Sequence, residues 1–372
     1  MDYETPQFYR VMQYAARADR DVVDMVSGSP DWDPPAAVRA GLREYADADP
    51  AAFQYAPSRG LKELREQIAA RHGVDADRIV VTNGAGEANH LAMTGGLDRF
   101  DGDEVLLADP VYPYYAGRAN FLGAETTFVP VEADGRLDPG RLRAAASDDT
   151  AVIVINSPNN PTGAVYDADA MAAVAAVAEA SDALLLSDEV YDQFDYSGRF
   201  SSALAVGSPN VVATNAVSKS MAITGFRVGY AVFPPTDGPT GELVERATTR
   251  HMLTNVSGSR PAQFAVARAM ATTEGDYYEA ARERLRTRIE AFCDALDEAG
   301  AAYTRPDGGF YVLARLPEFP GTFDNAERLI DEAGVAAMPG AAFGRARADA
   351  LRFSLTTPRV ETAAARLVDY FA

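Results

Sequence analysis

The stretch "SKSMAITGFRVGY", residues 218–230, contains Lys219, one of only two lysines in the chain of 372 residues. The other thirty-two of the thirty-four basic residues are arginine. An arginine guanidinium stays protonated in proteins, whereas a lysine amine can lose its proton and become a nucleophile. Lys219 is therefore a candidate for chemistry that arginine cannot perform. The second lysine, Lys62, lies on a predicted amphipathic helix, where a surface role is enough to explain it.

Short apolar runs adjoin this stretch and predict strands. "NVVATNA" (210–216) precedes it, and "RVGYAVFP" (227–234) overlaps its end. Upstream there are five similar runs: "RIVVTN" (78–83), "DEVLLAD" (103–109), "ETTFVPV" (125–131), "AVIVIN" (151–156) and "ALLLSDE" (183–189). Helical patterns lie between them at "AGEANHLAMTGGL" (85–97), which we expect to end at its glycines, and at "DADAMAAVAAVAEAS" (167–181). This alternation predicts an α/β fold with a mostly parallel sheet flanked by helices.

The last third of the chain has a different pattern. A long predicted helix (279–300) is followed by strand-like "GGFYVLARL" (308–316), a helix near "NAERLIDEAG" (325–334), strand-like "ALRFSLT" (350–356) and a terminal helix. This order predicts a smaller α+β domain, with which we expect the N-terminal segment to pack. The predicted division is a large domain at 46–278 and a discontinuous small domain formed by 1–45 with 279–372.

Composition limits the classes of partner. The formal net charge of −20 at pH 7 argues against nucleic acid, which needs a basic surface, and against anionic membranes. The longest apolar runs, such as 170–178, are too short to span a bilayer. The first residues, "MDYETPQFYR", lack a basic segment followed by an apolar one, so we expect no secretion signal. Cys293 is the single cysteine, which excludes an intrachain disulfide and favours a cytoplasmic location.

Several common catalytic motifs are missing. "GAGEAN" (84–89) begins like a dinucleotide-binding fingerprint but has Asn89 in place of the third glycine. Neither a phosphate-binding P-loop nor a serine-hydrolase G-x-S-x-G occurs. The three histidines, His72, His90 and His251, are too widely separated to predict a zinc cluster. We therefore expect no metal site.

Polar side chains follow several predicted strands at the point where each strand ends. "SPNNPTG" (157–163) follows one strand, Asp188 follows the next, with Tyr191 three residues on, and Lys219 follows a third. In an open α/β sheet the carboxyl ends of the strands form the ligand-binding crevice. The sequence therefore predicts that an amide, a carboxylate, a phenol and an amine meet at one edge of the sheet.

The ordered set of motifs resembles a known family. It contains "GSPDWDPP", "YAPSRGLKELREQIA", "VTNGAGEA", "DPVYPYY", "NSPNNPTG", "SDEVY", "SKSMAITGFRVGY", "GGFYV", "MPGAAFG" and "LRFSLTT". The chain is similar over nearly its full length to the pyridoxal-phosphate-dependent aminotransferases of class I/II, the aspartate aminotransferase-like enzymes of fold type I. The resemblance implies a sheet of the seven-stranded type, the cofactor pyridoxal 5'-phosphate, and ping-pong transfer of an amino group from an amino acid to a 2-oxo acid.

The resemblance also implies catalytic roles. Lys219 would bind the cofactor aldehyde as an imine and later shuttle a proton from the substrate Cα. Asp188 would hold the pyridine nitrogen protonated, so that the ring can absorb electrons. Tyr191 and Asn160 would hydrogen-bond the phenolic oxygen of the ring, with Asn160 also near the substrate.

Further residues would hold the cofactor. Arg227, Ser218 and the amides of Ala85 and Gly86 at a helix start would bind its phosphate. Tyr112 would stack on its ring. By the same resemblance, Tyr55 would reach the phosphate of a partner subunit, which implies a homodimer with shared active sites. One departure from the family pattern is Ala216, where a hydroxyl is usual three residues before the lysine, so a phosphate contact is lost.

The substrate is expected to bind through its α-carboxylate. Arg352, in "LRFSL", would clamp that group with help from the Gly28 backbone N–H. Arg260 is a candidate to recognise a second, distal carboxylate, although a helix-flanking role explains it equally. Aromatic, branched and small amino donors all remain open.

Two other functions remain open at this point. The same residues in related enzymes carry out β-elimination or decarboxylation, so a pyridoxal-phosphate-dependent lyase or decarboxylase is the main alternative. A regulatory binding module on the same scaffold is a third hypothesis, which the complete set of catalytic residues disfavours.

Overall fold

The computed structural model describes residues 7–371. The strands in this range are β1 (Val23–Asp24), β2 (Ile79–Thr82), β3 (Glu104–Asp109), β4 (Glu125–Pro130), β5 (Thr150–Asn156), β6 (Leu184–Asp188), β7 (Val211–Ala216), β8 (Gly229–Val232), β9 (Ala302–Tyr303), β10 (Tyr311–Arg315), β11 (Val335–Ala336), β12 (Met338–Pro339) and β13 (Leu351–Ser354). The α-helices are α1 (Gln7–Arg17), α2 (Ala36–Ala46), α3 (Lys62–His72), α4 (Ala85–Arg99), α5 (Tyr114–Phe121), α6 (Pro139–Ala145), α7 (Ala168–Ala180), α8 (Val217–Ser220), α9 (Glu242–Asn255), α10 (Arg260–Thr272), α11 (Gly275–Glu298), α12 (Phe323–Ala333) and α13 (Val360–Phe371).

Seven strands form the larger sheet, in the order β2-β8-β7-β6-β5-β3-β4. Strand β8 runs antiparallel to both of its neighbours, and the other adjacent strands are parallel. Every residue of β5, β6, β7 and β8 is buried, because helices cover both faces of the sheet. The predicted α/β class with a mostly parallel sheet is confirmed.

Helix α4 does not end where the sequence predicted. It continues through Gly95 and Gly96 to Arg99, so the prediction that these glycines terminate it is wrong. A Cβ at Gly96 would lie 2.5 Å from Val152 Cγ2 on β5, which no real Cβ tolerates. Gly96 therefore allows the helix to pack closely on the sheet. This tertiary contact outweighs the low helix propensity of glycine.

A smaller antiparallel sheet, in the order β12-β13-β10-β9, is built from the last third of the chain. Strand β1 pairs in parallel with β11, with Val23 opposite Val335. Helix α2 instead packs on α10, where a Cβ at Gly41 would lie 2.8 Å from Ala265 Cα. The division into a large domain (46–278) and a small domain (1–45 with 279–372) stays a prediction. Residues 1–6 and 372 of the small domain lie outside the described range.

The sheet places three strand ends side by side. Asn156 at the end of β5 pairs with Asp188 at the end of β6, and Asp188 pairs with Thr214 on β7. Helix α8, which carries Lys219, follows β7 directly. None of the helices within residues 7–371 has the length and hydropathy needed to cross a membrane.

The close packing of α4 yields a stability prediction. Gly96→Ala should lower the free energy of unfolding by about 1–3 kcal/mol, because its Cβ is forced against Val152 and Leu184. The matched control is Gly117→Ala in α5, where an added Cβ meets nothing within 4 Å; it should be neutral or stabilise by about 0.5–1 kcal/mol. Urea unfolding measures both, and a Gly96→Ala protein at least as stable as Gly117→Ala would refute the packing argument.

Candidate active site

One cavity opens at the carboxyl ends of the central strands. Its walls come from the ends of β5 and β6, helix α8 after β7, the start of α4, helices α1 and α5, the loop after β1, and strands β10 and β13. The predicted site residues line it, apart from Tyr55 and the candidate Arg260. They are Gly28, Ala85, Gly86, Tyr112, Asn160, Asp188, Tyr191, Ser218, Lys219, Arg227 and Arg352. The structure therefore brings together residues that are separated by more than three hundred positions in the chain.

Lys219 projects into this cavity from the one-turn helix α8. Its Nζ donates a hydrogen bond to the Gly28 carbonyl oxygen at 2.6 Å. Burial lowers the pKa of Lys219 to about 8, and repulsion from Arg227 and Arg352 adds to the effect. A partly desolvated amine close to two guanidiniums holds its proton weakly, so a fraction of Lys219 is neutral near physiological pH.

Asp188 is held by three donors at the base of the cavity. Its Oδ2 accepts hydrogen bonds from Asn89 Nδ2 at 2.6 Å and the Tyr115 hydroxyl at 2.7 Å, and its Oδ1 accepts one from the Val190 amide at 3.1 Å. Burial raises the pKa of Asp188, and these hydrogen bonds oppose that rise. The Thr214 hydroxyl donates to Asn89 Oδ1, which orients the amide so that its NH₂ faces Asp188.

Sequence reasoning missed this network. Tyr115 lies in the quoted motif "DPVYPYY", but only Tyr112 was singled out. Asn89 was noted only as the residue that spoils a dinucleotide-binding fingerprint. The available signal was its position one turn into the helix that starts at the cavity, next to a strand end carrying a carboxylate.

Two tyrosines form another wall. The Tyr191 and Tyr311 hydroxyls lie 3.2 Å apart. Burial is the main cause that raises the pKa of Tyr191, and the nearby Tyr311 raises it further. Gly28 lies against them, since a Cβ there would be 2.1 Å from the Tyr311 hydroxyl. Asn160 is buried beside this pair, its backbone N–H bound to Asn156 Oδ1 at 2.8 Å.

Arg352 is a buried guanidinium with an unused hydrogen-bond donor. Only 1% of its surface is exposed. Its Nη2 donates to the Val26 carbonyl, its Nη1 lies 3.5 Å from Asn160 Oδ1, and its Nε has no partner. Within residues 7–371 no carboxylate pairs with it. A buried cation without a carboxylate partner is costly, and the free Nε–H donor of Arg352 fits a carboxylate ligand.

A second candidate anion site lies at the start of α4. Ala85 and Gly86 are the first residues of that helix, whose early N–H groups have no partner within it. The Arg227 guanidinium packs on the turn before it, since a Cβ at Gly84 would lie 2.3 Å from Arg227 Nη2. Together with the buried Ser218, this cradle fits a phosphate.

Some predicted residues contribute differently. Tyr112 lines the cavity and stacks near Tyr114, with ring centroids 4.8 Å apart. Tyr55 lies outside the cavity and is 79% exposed. Arg260 Nη1 donates to the carbonyls of Ala51, Gln54 and Tyr55, so this guanidinium holds the loop that carries Tyr55.

A group of three or more His, Cys, Asp and Glu side chains suited to a metal ion is not found among residues 7–371. The donors of the cavity are an amine, guanidiniums, phenols and amides around one carboxylate. This set suits an anionic organic ligand rather than a metal ion.

Comparison with known proteins agrees with this geometry. Residues 20–367 match the family described as aminotransferase class I and II. An aspartate/prephenate aminotransferase of Thermus thermophilus is 34% identical over 349 residues, which cover 88% of this chain and 86% of that protein. A probable N-succinyldiaminopimelate aminotransferase of Mycobacterium tuberculosis is 34% identical over 358 residues, covering 92% and 86%.

Solved structures give the same result. The aspartate aminotransferase of Thermus thermophilus with maleate superposes with a TM-score of 0.90 at 30% identity, covering 99% of this chain and 100% of that one. The aspartate aminotransferase of Thermotoga maritima gives a TM-score of 0.89 at 27% identity, covering 99% and 97%. The chain therefore belongs to the class I and II aminotransferases, which are pyridoxal-phosphate-dependent enzymes of fold type I that transfer amino groups.

Proposed function

We propose that this aminotransferase moves an amino group between an L-amino acid and a 2-oxo acid in two half-reactions at one site, with Lys219 as its central residue. The observation that carries the proposal is a partly buried amine of lowered pKa in one cavity with a hydrogen-bonded carboxylate, Asp188, and a buried guanidinium, Arg352. Pyridoxal 5'-phosphate, when bound, supplies an aldehyde that amines attack and a pyridine ring that withdraws electrons.

Lys219 would act first as a nucleophile and then as an acid and base. Because its pKa is lowered to about 8, its amine would be available as a nucleophile without a costly deprotonation. As acid and base, the free Nζ would accept the proton from the substrate Cα and later return it. The Gly28 carbonyl, 2.6 Å from Nζ, keeps the amine directed into the cavity.

Asp188 would stay ionised and face the pyridine nitrogen. Asn89 and Tyr115 hold its Oδ2, which favours the charged form against the cost of burial. Tyr191 and Asn160 would bind the phenolic oxygen of the ring, and Tyr112 would cover one ring face.

Anion binding would be divided between two cationic sites. Arg352, with its unpaired Nε, would hold the substrate α-carboxylate together with the Gly28 N–H. Arg227, Ser218 and the amides of Ala85 and Gly86 would hold the phosphate. Fixing both ends leaves the substrate little freedom to rotate, so the Cα–H bond can be presented to Lys219.

We also propose a cytoplasmic homodimer. Leu42, Phe53 and Tyr55 line a surface groove with residues 257–261, and Leu253 and Val256 lie just before those residues at the end of α9. Leu253 is 80% exposed and Tyr55 is 79% exposed. Exposure of several neighbouring apolar side chains to water is unfavourable, which favours their coverage by another protein surface. A second copy would bury them and bring Tyr55 to the partner's phosphate.

Replacement of Lys219 tests the catalytic assignment. Lys219→Arg should lower transamination by more than about a hundred-fold, because the variant has no amine that can lose its proton. Lys62→Arg is the matched control at the other lysine, which is exposed, and should keep normal turnover. The measurement is 2-oxo acid formation with and without an acceptor. Without one, the wild type should stop after one equivalent, whereas continued turnover would indicate a lyase.

The network around Asp188 predicts a shift in pH dependence. Asn89→Leu removes a donor to the charged carboxylate, which raises the pKa of Asp188 further. A neutral Asp188 becomes ionised again only as the pH rises, so the acidic limb of the kcat/KM profile should move to higher pH. Asn120→Leu, on the exposed side of α5, is the control. An unchanged acidic limb in Asn89→Leu would show that this amide does not support Asp188.

The dimer proposal predicts the effect of a charge on the exposed apolar surface. Leu253→Asp should give a monomer in sedimentation velocity and retain the cofactor less well, because Tyr55 of a partner no longer contributes. Arg143→Asp, an exposed change on α6, should leave the mass unchanged. A monomeric wild type, or a Leu253→Asp protein of unchanged mass, would contradict the proposal.

A further inference from the structure

A third guanidinium, that of Arg118, lines the same cavity. It projects from α5, is half-buried, and makes one backbone contact, from Nη1 to the Tyr114 carbonyl at 3.3 Å. Within residues 7–371 it forms no salt bridge, although twenty-two ion pairs occur there. The family motifs assign it no role.

The Arg118 guanidinium lies close to the start of α4. A Cβ at Gly86 would lie 3.2 Å from Arg118 Nη2, and a Cβ at Gly84 would lie 2.3 Å from Arg227 Nη2. Two guanidiniums therefore pack against the two glycines that flank Ala85, where the free N–H groups of the helix begin. This places two cations and a helix N-terminus around one small volume of the cavity.

Two positions near the start of α4 offer no side-chain hydrogen-bond donor. Ala216, at the end of β7, has no hydroxyl to offer, and Gly86 has no side chain. A phosphate ester carries close to two negative charges and three acceptor oxygens. One arginine with one serine and two amides is a modest complement for it, and a second guanidinium would compensate for the hydroxyl that is missing.

We propose that Arg118 binds the cofactor phosphate as a second guanidinium beside Arg227, and that it compensates for Ala216. A side chain at Gly86 would crowd Arg118 Nη2, with a Cβ only 3.2 Å away, so the glycine leaves room for the guanidinium. This role rests on the proposed placement of the cofactor in this cavity. The experiment must therefore distinguish a failure of the Arg118 role from a failure of the cofactor placement.

The experiment compares two aldehydes that differ only in the phosphate. Cofactor-free wild type and Arg118→Gln are titrated with pyridoxal 5'-phosphate and with pyridoxal, and binding is followed by absorbance. Arg118→Gln should bind pyridoxal 5'-phosphate about ten-fold or more weakly, the size expected for one charge-assisted contact, while its affinity for pyridoxal stays unchanged. Arg143→Gln is the control for loss of a surface charge and should match the wild type with both ligands.

Other outcomes overturn the inference. Equal weakening for both aldehydes would mean that Arg118 only shapes the cavity. An unchanged affinity for pyridoxal 5'-phosphate would also refute it. If in that case the preference for glutamate over alanine fell, the guanidinium would serve a distal carboxylate of the substrate instead. If Arg118→Gln does not fold, Arg118→Lys is tested instead. This variant keeps the charge but loses the bidentate donor geometry. The quantity compared is again the affinity for pyridoxal 5'-phosphate relative to the affinity for pyridoxal. A wild type that binds neither aldehyde would refute the cofactor site itself, not the role of Arg118 alone.

Discussion

The active site depends on one partly buried amine, Lys219 Nζ, that lines the cavity. A buried ammonium is unfavourable, and two guanidiniums in the same cavity make it more so, which lowers its pKa to about 8. The Gly28 carbonyl stabilises and directs it at 2.6 Å. The sheet makes this arrangement possible, because β7 ends beside β6 and delivers the lysine one turn later, next to Asp188. An arginine could not take this place, since no such environment removes its proton at neutral pH.

The cavity contrasts with the charge of the whole molecule. The chain carries a formal net charge of −20, yet Arg118, Arg227, Arg352 and Lys219 all line one cavity with Asp188 as the carboxylate at its base. Such a local excess of cations attracts anionic ligands and gains strength from its partial exclusion of water. The cofactor phosphate and the substrate carboxylate of this family are two such anions. The protein therefore concentrates positive charge at the site and distributes negative charge elsewhere.

The sequence allowed the sheet, the strand ends and the central residues to be predicted, because apolar periodicity and motif order are local properties. Lys219, Asp188, Arg227 and Arg352 do meet in one cavity. What the sequence did not reveal depends on contacts between distant segments. Asn89 bonds Asp188 across ninety-nine positions, Gly96 lies inside α4 because of Val152 on β5, and Arg260 binds the carbonyls of a loop more than two hundred positions away. Arg118 gave no signal either, since one more arginine among thirty-two is unremarkable until Gly86 is seen beside it.

The central claim is that the cofactor is attached to Lys219, and covalent trapping tests it most directly. Cofactor-saturated protein is reduced with borohydride, digested, and its peptides weighed. A pyridoxyl group should appear on the peptide that contains Lys219 and not on the peptide that contains Lys62. Its absence from the Lys219 peptide, or its presence on the Lys62 peptide alone, would show that Lys219 does not carry the cofactor.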